Sequence, residues 1–422
     1  MSDLAKVWDL PPAECPVGSI GHDWDPFDSL RMHEVLARAR ATEPVFYAPA
    51  LDAWVVTRHA DVLSILHDPS SYSASNANTP ITPLPPEALS LLSEGGYALE
   101  GIQVNCDPPR HTRIRTHAAQ AMNMRRLMAL EPEVRSLARA AIDTMRGAAE
   151  VDLLRAMTWE LPARVIFRLL DIPDADAARV KGWATDRLML SFSRADASAQ
   201  MTAARNLLEF WHYVVALVQA RVDKPGDDLI SALLELRAGD DSRLTMNEIN
   251  SAAFGLLFAG HETTTSQSTS TVHALLSEPG LWQALVADPA LIPAAVEEGL
   301  RMYGAVANWR RRALRDVTLG GIDIPAGSQI VVSFAAANRD AQVFDDPDAF
   351  RLDRRNGRRH LTFGNGIHVC LGAPLARLEV RVMLEELTAT FPAMRLAAPG
   401  PMTFHRAFAF RAPTGLRVRP QG

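Results

Sequence analysis

Lysine is almost missing from this chain of 422 residues: only Lys6, Lys181 and Lys224 occur, so its basic surface is built from arginine. Cysteine is nearly as scarce. Cys15, Cys106 and Cys370 are odd in number and widely spaced, which excludes a disulfide framework and a CxxC zinc site and points to a reducing compartment. No stretch approaches about 18 uninterrupted apolar residues. The N-terminal "MSDLAKVWDLPPAECPVGSI" has no basic region followed by an apolar run, so we expect a cytoplasmic protein without a membrane anchor. Positive charge is not in excess either: the net charge of -6 gives no basic stripe for nucleic acid. Repeats, low-complexity runs and convincing linkers are absent, and 48% hydrophobic residues suffice for a large core, so residues 1–422 are expected to form one large domain.

The patterning is mostly helical, with small groups of strands. "VFYAPALDAWVVTR" (45 to 58) alternates apolar and polar residues around a turn and feeds a helical stretch from 60 to 67. Val134, Leu137, Ala138, Ala141, Ile142 and Met145 recur at three- and four-residue steps, marking one buried helical face. A second hairpin is expected in "VTLGGIDIPAGSQIVVSF" (317 to 334), and a third strand pair at 402 to 419. "DKPGDD" (223 to 228) reads as a loop between helices.

Two stretches break these rules. The spacing predicts a helix from 246 to 277, opened by a capping box of Thr245 and Glu248 and stopped by Pro279-Gly280. At 1.5 Å per residue it would run roughly 45 Å, across the whole domain. Yet "AGHETTTSQSTST" fills its centre with weak helix formers whose hydroxyls bond back to carbonyls. Either small residues permit a tight helix crossing, or the centre carries a site. The second stretch is "FGNGIHVCLG" (363 to 372), where Cys370 sits in a glycine-rich turn just ahead of a helix bearing Pro374 near its start. Free amides and the dipole of that helix start favour a thiolate over a thiol, so the sulfur is suited to bind a metal.

The turn resembles the haem-ligand signature of the cytochrome P450 family, F-G-x-G-x-H-x-C-x-G, at Phe363, Gly364, Gly366, His368, Cys370 and Gly372. Three further marks follow in family order. A-G-x-[D/E]-T-T is present at Ala259, Gly260, Glu262, Thr263 and Thr264, E-x-x-R at Glu298 and Arg301, and the asparagine-led meander in "ANRDAQVFDDPDAFRLDR". "DPPRHTRIR" from Asp107 is similar to the family's haem-approaching helix, so the resemblance covers nearly the whole chain.

The resemblance implies a mainly α fold with small β-sheets, and haem b (iron protoporphyrin IX) as cofactor. Cys370 would be the axial thiolate, shielded by Phe363. His368, His111 and Arg115 would hold the haem propionates, joined by Arg311 or, alternatively, Arg310. Glu298, Arg301 and Arg354 would form a buried ion-pair network holding the meander. Ala259 and Gly260 would let the central helix pass close to the iron. Thr263 would place a hydroxyl there while Glu262 relays solvent protons, so that O–O cleavage outruns loss of peroxide.

Such a protein is a monooxygenase using O2, a small organic substrate, a ferredoxin and an NAD(P)H-dependent ferredoxin reductase. Arg110, Arg113, Arg126, Arg358, Arg359 and Arg377 are expected around the thiolate side, where an acidic ferredoxin would dock. Phe254, Phe258, Val306 and the "RAFAF" segment around Phe408 are expected to line the substrate pocket, favouring a compact apolar or aromatic molecule. The segment 73 to 104 and the helices from 188 to 218 would form its lid. No reductase module is visible in the sequence, although a haem domain cut from a fused enzyme would look the same. A haem-based sensor would not need the Glu262–Thr263 pair, and a non-haem helical protein would leave Cys370 buried and inert.

Overall fold

The computed structural model describes residues 19–422. Lys6 and Cys15 lie outside the described residues. Helices carry most of the chain, joined by ten short strands: Val45–Ala48 (β1), Ala53–Val56 (β2), Tyr72–Ser73 (β3), Val151–Asp152 (β4), Asn308–Ala313 (β5), Val317–Leu319 (β6), Ile322–Ile324 (β7), Gln329–Ser333 (β8), Arg395–Leu396 (β9) and Arg417–Arg419 (β10). They form a five-stranded sheet in the order β1-β2-β8-β5-β3, a three-stranded sheet β4-β10-β9 and the pair β6-β7. The first hairpin is as expected, with Val45 opposite Val56 and the helix His59–His67 directly after it.

The other two strand expectations need correction. The hairpin at 317 to 334 is confined to β6 and β7, while β8 enters the large sheet parallel to β2 and antiparallel to β5. All five residues of β8 are buried, so both of its faces need cover that a two-stranded ribbon cannot give. At 402 to 419 a single bridge joins Phe404 and Pro413, and β10 pairs instead with β4 and β9. Pro401 and Pro413 lack the amide protons that a longer ladder would need.

The central helix spans Met246–Ser277, and its capping box is complete: the Glu248 amide donates to Thr245 Oγ1 and the Thr245 amide to Glu248 Oε2, each at 3.0 Å. Hydroxyls in its middle bond back one turn, Ser266 to the Glu262 carbonyl at 2.9 Å and Ser268 to that of Thr264 at 2.8 Å, which satisfies polar atoms in a buried segment. The small residues also serve packing. A Cβ built on Gly260 would lie 2.6 Å from Ile166 Cδ1 in the helix Leu161–Leu170, so a helix crossing alone requires glycine here.

Glu298 anchors the segment leading to Cys370. Arg301 donates Nε and an Nη to both Glu298 oxygens at 2.8 and 2.7 Å, and Arg354 Nε reaches the same carboxylate at 2.8 Å. The remaining donors of Arg301 go to the carbonyls of Asn338, Pro347 and Ala349, and those of Arg354 to Asp345, Asp346 and Ala349. One buried acid thus fixes two arginines, and through their carbonyl partners the whole meander.

Candidate active site

The stretch 363 to 372 folds back on itself because the Cys370 amide donates to the Phe363 carbonyl at 2.9 Å. Gly366 has φ +66, and a Cβ there would lie 2.2 Å from the Leu66 carbonyl oxygen, so only glycine lets the loop lie against the helix His59–His67. The chain then enters the helix Ala373–Thr390 through Gly372. Cys370 is exposed to the open space beside the loop; the protein packed behind it pushes its thiol up, while the amides of Gly372 and Ala373 and the charges of Arg115 and Arg377 pull against it. The dipole argument is right in direction but loses to desolvation, so a bound cation is what would convert this sulfur to thiolate. Phe363 is half-buried beneath the Arg377 guanidinium, 4.6 Å from its ring centroid, and Arg377 in turn donates to Glu297 at 2.7 Å.

A group of basic side chains gathers beside this loop. The rings of His111 and His368 lie 4.3 Å apart. His368 Nδ1 meets the Gln103 carbonyl at 2.9 Å, and burial with the nearby Arg311 lowers its pKa to about 4. His111 is buried with neither ring nitrogen in a well-formed hydrogen bond. Arg115 donates to the Val369 carbonyl. Arg311 is 3% exposed, and burial lowers its pKa to about 10. Its one hydrogen bond goes to the Arg310 carbonyl, at 2.8 Å. The nearest acid, Asp107, is taken up by Ser73 Oγ and the Ala74 amide.

Alternation along β5 separates the two arginines that the sequence left open. Arg311 is paired with Ile330 and shares the histidines' environment, whereas Arg310 is paired with Val331 and turns to the opposite face, over the ring of Phe192 at 5.9 Å. The geometry therefore puts Arg311, and not Arg310, in the basic group.

On the central helix one stripe stays open while its flanks are buried: Ala259 is exposed and Gly255, Leu256, Gly260 and Thr263 are half-buried, at helical spacing. Thr263 Oγ1 donates to the Ala259 carbonyl at 3.0 Å. Glu262 turns away from that stripe. It is buried, accepts a hydrogen bond from Thr185 Oγ1 at 2.9 Å, and has His261 Nε2 3.6 Å away. Burial alone would raise its pKa, but His261, Thr185 and Lys181 prevail and lower it, so the carboxylate is ionised at neutral pH. The sequence reading missed all three partners. His261 sat in the motif's variable position, and Lys181 and Thr185 come from a different helix, Ala177–Phe192, whose register with the central helix the sequence does not display.

The aromatic residues expected around the substrate fall into two separate clusters. Phe258 meets Phe192 at 6.5 Å and Phe410 at 6.2 Å, in one cluster with Val306 and the buried Phe408. Phe254 packs on Phe210 at 4.5 Å and on Trp211 at 5.8 Å, against the helix Ala197–Asp223, because it lies about one turn, roughly 6 Å, earlier along the helix axis than Phe258. The arginines expected as a free docking surface are largely engaged too. Arg110 and Arg113 hold buried Glu248, and Arg377 holds Glu297. Arg358 is 81% exposed, with Glu297 only at 3.6 Å, and Arg359 is exposed with no ion pair.

Known proteins resemble this chain along nearly its whole length. The cytochrome P450 family pattern matches residues 187–394. Cytochrome P450 monooxygenase PikC of Streptomyces venezuelae is 35% identical over 418 residues, 97% of this chain and 94% of its own. Cytochrome P450 CREJ, solved in complex with (4-ethylphenyl) dihydrogen phosphate, superposes with a TM-score of 0.91 at 34% identity over 94% of this chain and 99% of that one. An intact type IV self-sufficient cytochrome P450 monooxygenase superposes at 0.92 with 33% identity, over 98% of this chain but 54% of that one. The chain belongs to the cytochrome P450 family and has its fold; it is a monooxygenase of the bacterial type. No helix among the described residues is long and apolar enough to cross a membrane.

Proposed function

We propose that this monooxygenase uses haem b to insert one oxygen atom from O2 into a C–H bond of a compact apolar or aromatic molecule, with hydroxylation or O-demethylation as the outcome. The observation that carries the reading is a basic group that forms no ion pair: its one neighbouring acid, Asp107, spends its hydrogen bonds on Ser73 and Ala74. Arg311 and His111, whose ring nitrogens make no well-formed hydrogen bond, would with His368 and Arg115 match the two carboxylates of a haem edge, and Cys370 would supply the soft sulfur donor for its iron. When bound, the haem would supply an oxygen-activating iron, made more electron-rich by the Cys370 sulfur. Cys370 is exposed in the structure, and Phe363 with the glycine turn would shield its sulfur once haem is bound.

On the opposite side, Ala259 leaves room and Thr263 offers its hydroxyl on the open stripe. Glu262, ionised and held by Thr185, takes up protons from the Lys181 side and releases them toward Thr263 when its side chain rotates. Phe258, Phe410 and Val306 hold the substrate's apolar body. Electrons come from a separate ferredoxin and its NAD(P)H-dependent reductase, docking near Arg358 and Arg359, and the reaction proceeds in the cytoplasm. The likeness to a self-sufficient enzyme favours a second reading, in which this chain works as the haem portion of a fused protein.

The coupling of electrons to product tests the proposal. Thr263→Ala should still bind haem and substrate and consume reducing equivalents, with more of them recovered as hydrogen peroxide and less as product. Glu262→Gln should slow turnover more than it uncouples it. Wild-type coupling in Thr263→Ala, with a substrate that carries no hydroxyl of its own, would remove the role assigned to Thr263.

A further inference from the structure

Among the described residues Arg310 has no acidic partner. It is 6% exposed, and desolvation lowers its pKa to about 10 with no acid opposing the shift. One Nη donates to the carbonyls of Ala77 and Thr79, and Nε, buried, has no acceptor. Lack of an acid is not by itself a site: Arg411 is also buried without one and its Nε too has no acceptor, but its guanidinium lies between the rings of Phe404 at 4.6 Å and Tyr303 at 5.8 Å and meets His33, away from the cluster around Phe258. What sets Arg310 apart is its seat. Its guanidinium lies over Phe192, which stacks on Phe258 and meets Phe410 at 4.9 Å, and Phe258 immediately precedes Ala259 on the open stripe.

We propose that Arg310 is a specificity residue that binds an oxyanion on the substrate, so that the molecule this enzyme takes is an apolar or aromatic body carrying a carboxylate or a phosphate monoester. The inference rests on the monooxygenase reading and narrows its substrate class. A planar guanidinium with a free Nε–H offers the donors such an oxyanion accepts, and the aromatic cluster offers the dry surroundings in which a charge-assisted bond is strong. The rigid strand β5 and the two carbonyls that hold one Nη fix the direction in which the remaining donors point.

The test is a titration of the purified haem protein, followed by the Soret shift, with three ligands sharing one body: 1-methyl-4-propylbenzene, 4-propylbenzoate and 4-propylphenyl phosphate. At least one anion should bind roughly tenfold or more tightly than the neutral ligand, and which anion does so identifies the headgroup. Arg310→Gln should erase that preference while leaving binding of the neutral ligand and the carbon monoxide spectrum intact. Arg310→Lys, keeping charge without the planar fork, should bind the anion with intermediate strength. Equal binding of all three ligands by the wild type, or a preference that survives in Arg310→Gln, overturns the proposal. If the wild type shows the thiolate spectrum in that case, the monooxygenase reading stands; if that spectrum is missing, both fall.

Discussion

Arg301 and Arg310 lie nine residues apart, at 1% and 6% exposure, and the fold treats them in opposite ways. Arg301 meets both oxygens of Glu298 and three backbone carbonyls, while the side-chain hydrogen bonds of Arg310 and its neighbour Arg311 go only to carbonyls. A buried charge without a counter-charge opposes folding, and a buried pair broken on one side is worse still. The first set is therefore charge that the chain neutralises for itself, to lock a meander. The second is charge left open on both faces of one strand, and it makes physical sense where anions arrive later: the cofactor's carboxylates on one face and the substrate's headgroup on the other.

The comparison breaks most sharply at Arg301. Arg301→Met strips Glu298 of a bidentate partner and should cost about 3–5 kcal/mol, read by denaturant unfolding of the haem protein or by failure to recover it folded. An unchanged midpoint would show that the network does not hold the meander. Glu297 tests the same region by pH. Burial alone would raise its pKa, but His360 and Arg377 lower it to about 2 from an ordinary 4.5. Its contribution is thus fully present above about pH 4.5 and fades as pH falls toward 2, at most about 3 kcal/mol in all. The Glu297→Gln variant should show a flatter acid limb, and an identical limb would contradict the assignment.

Arg311 sharpens the other half. Arg311→Met should leave the unfolding midpoint of the apoprotein unchanged or raised, since an uncompensated charge is gone, while haem transfer to an acceptor globin quickens roughly tenfold. A destabilised apoprotein that retains haem normally would place Arg311 with the structural set. The smallest effect belongs to the surface. Reduction by an acidic ferredoxin should slow as salt rises, and slow about severalfold more in Arg358→Glu with Arg359→Glu. Arg113 and Arg377 are poor probes, because reversing either would break its bond to Glu248 or Glu297.

What the sequence could show follows from how far each signal reaches along the chain. The central helix is legible to the residue because capping and stop signals are local, and the Cys370 turn because its glycines and its helix start are contiguous. The Glu298–Arg301–Arg354 network was legible through the resemblance alone, since an acid and an arginine at helical spacing are commonplace on solvated faces. Partners brought by distant elements were not. Strand β8 reads as half of a hairpin until β2 and β5 are seen to flank it, and Arg310 and Arg311 are interchangeable until the pairing with Val331 and Ile330 assigns their faces. Phe254 misled because one turn of helix is enough to exchange the pocket for the packing of a neighbouring helix.

The central claim is that Cys370 is the axial thiolate of a haem enzyme, and the spectrum of the reduced protein with carbon monoxide tests it most directly. The wild type should show the strongly red-shifted Soret band of thiolate ligation, and Cys370→His should lose that band while the protein stays folded. A mutant spectrum identical to the wild type, or a purified wild-type protein that takes up no haem, would contradict the account.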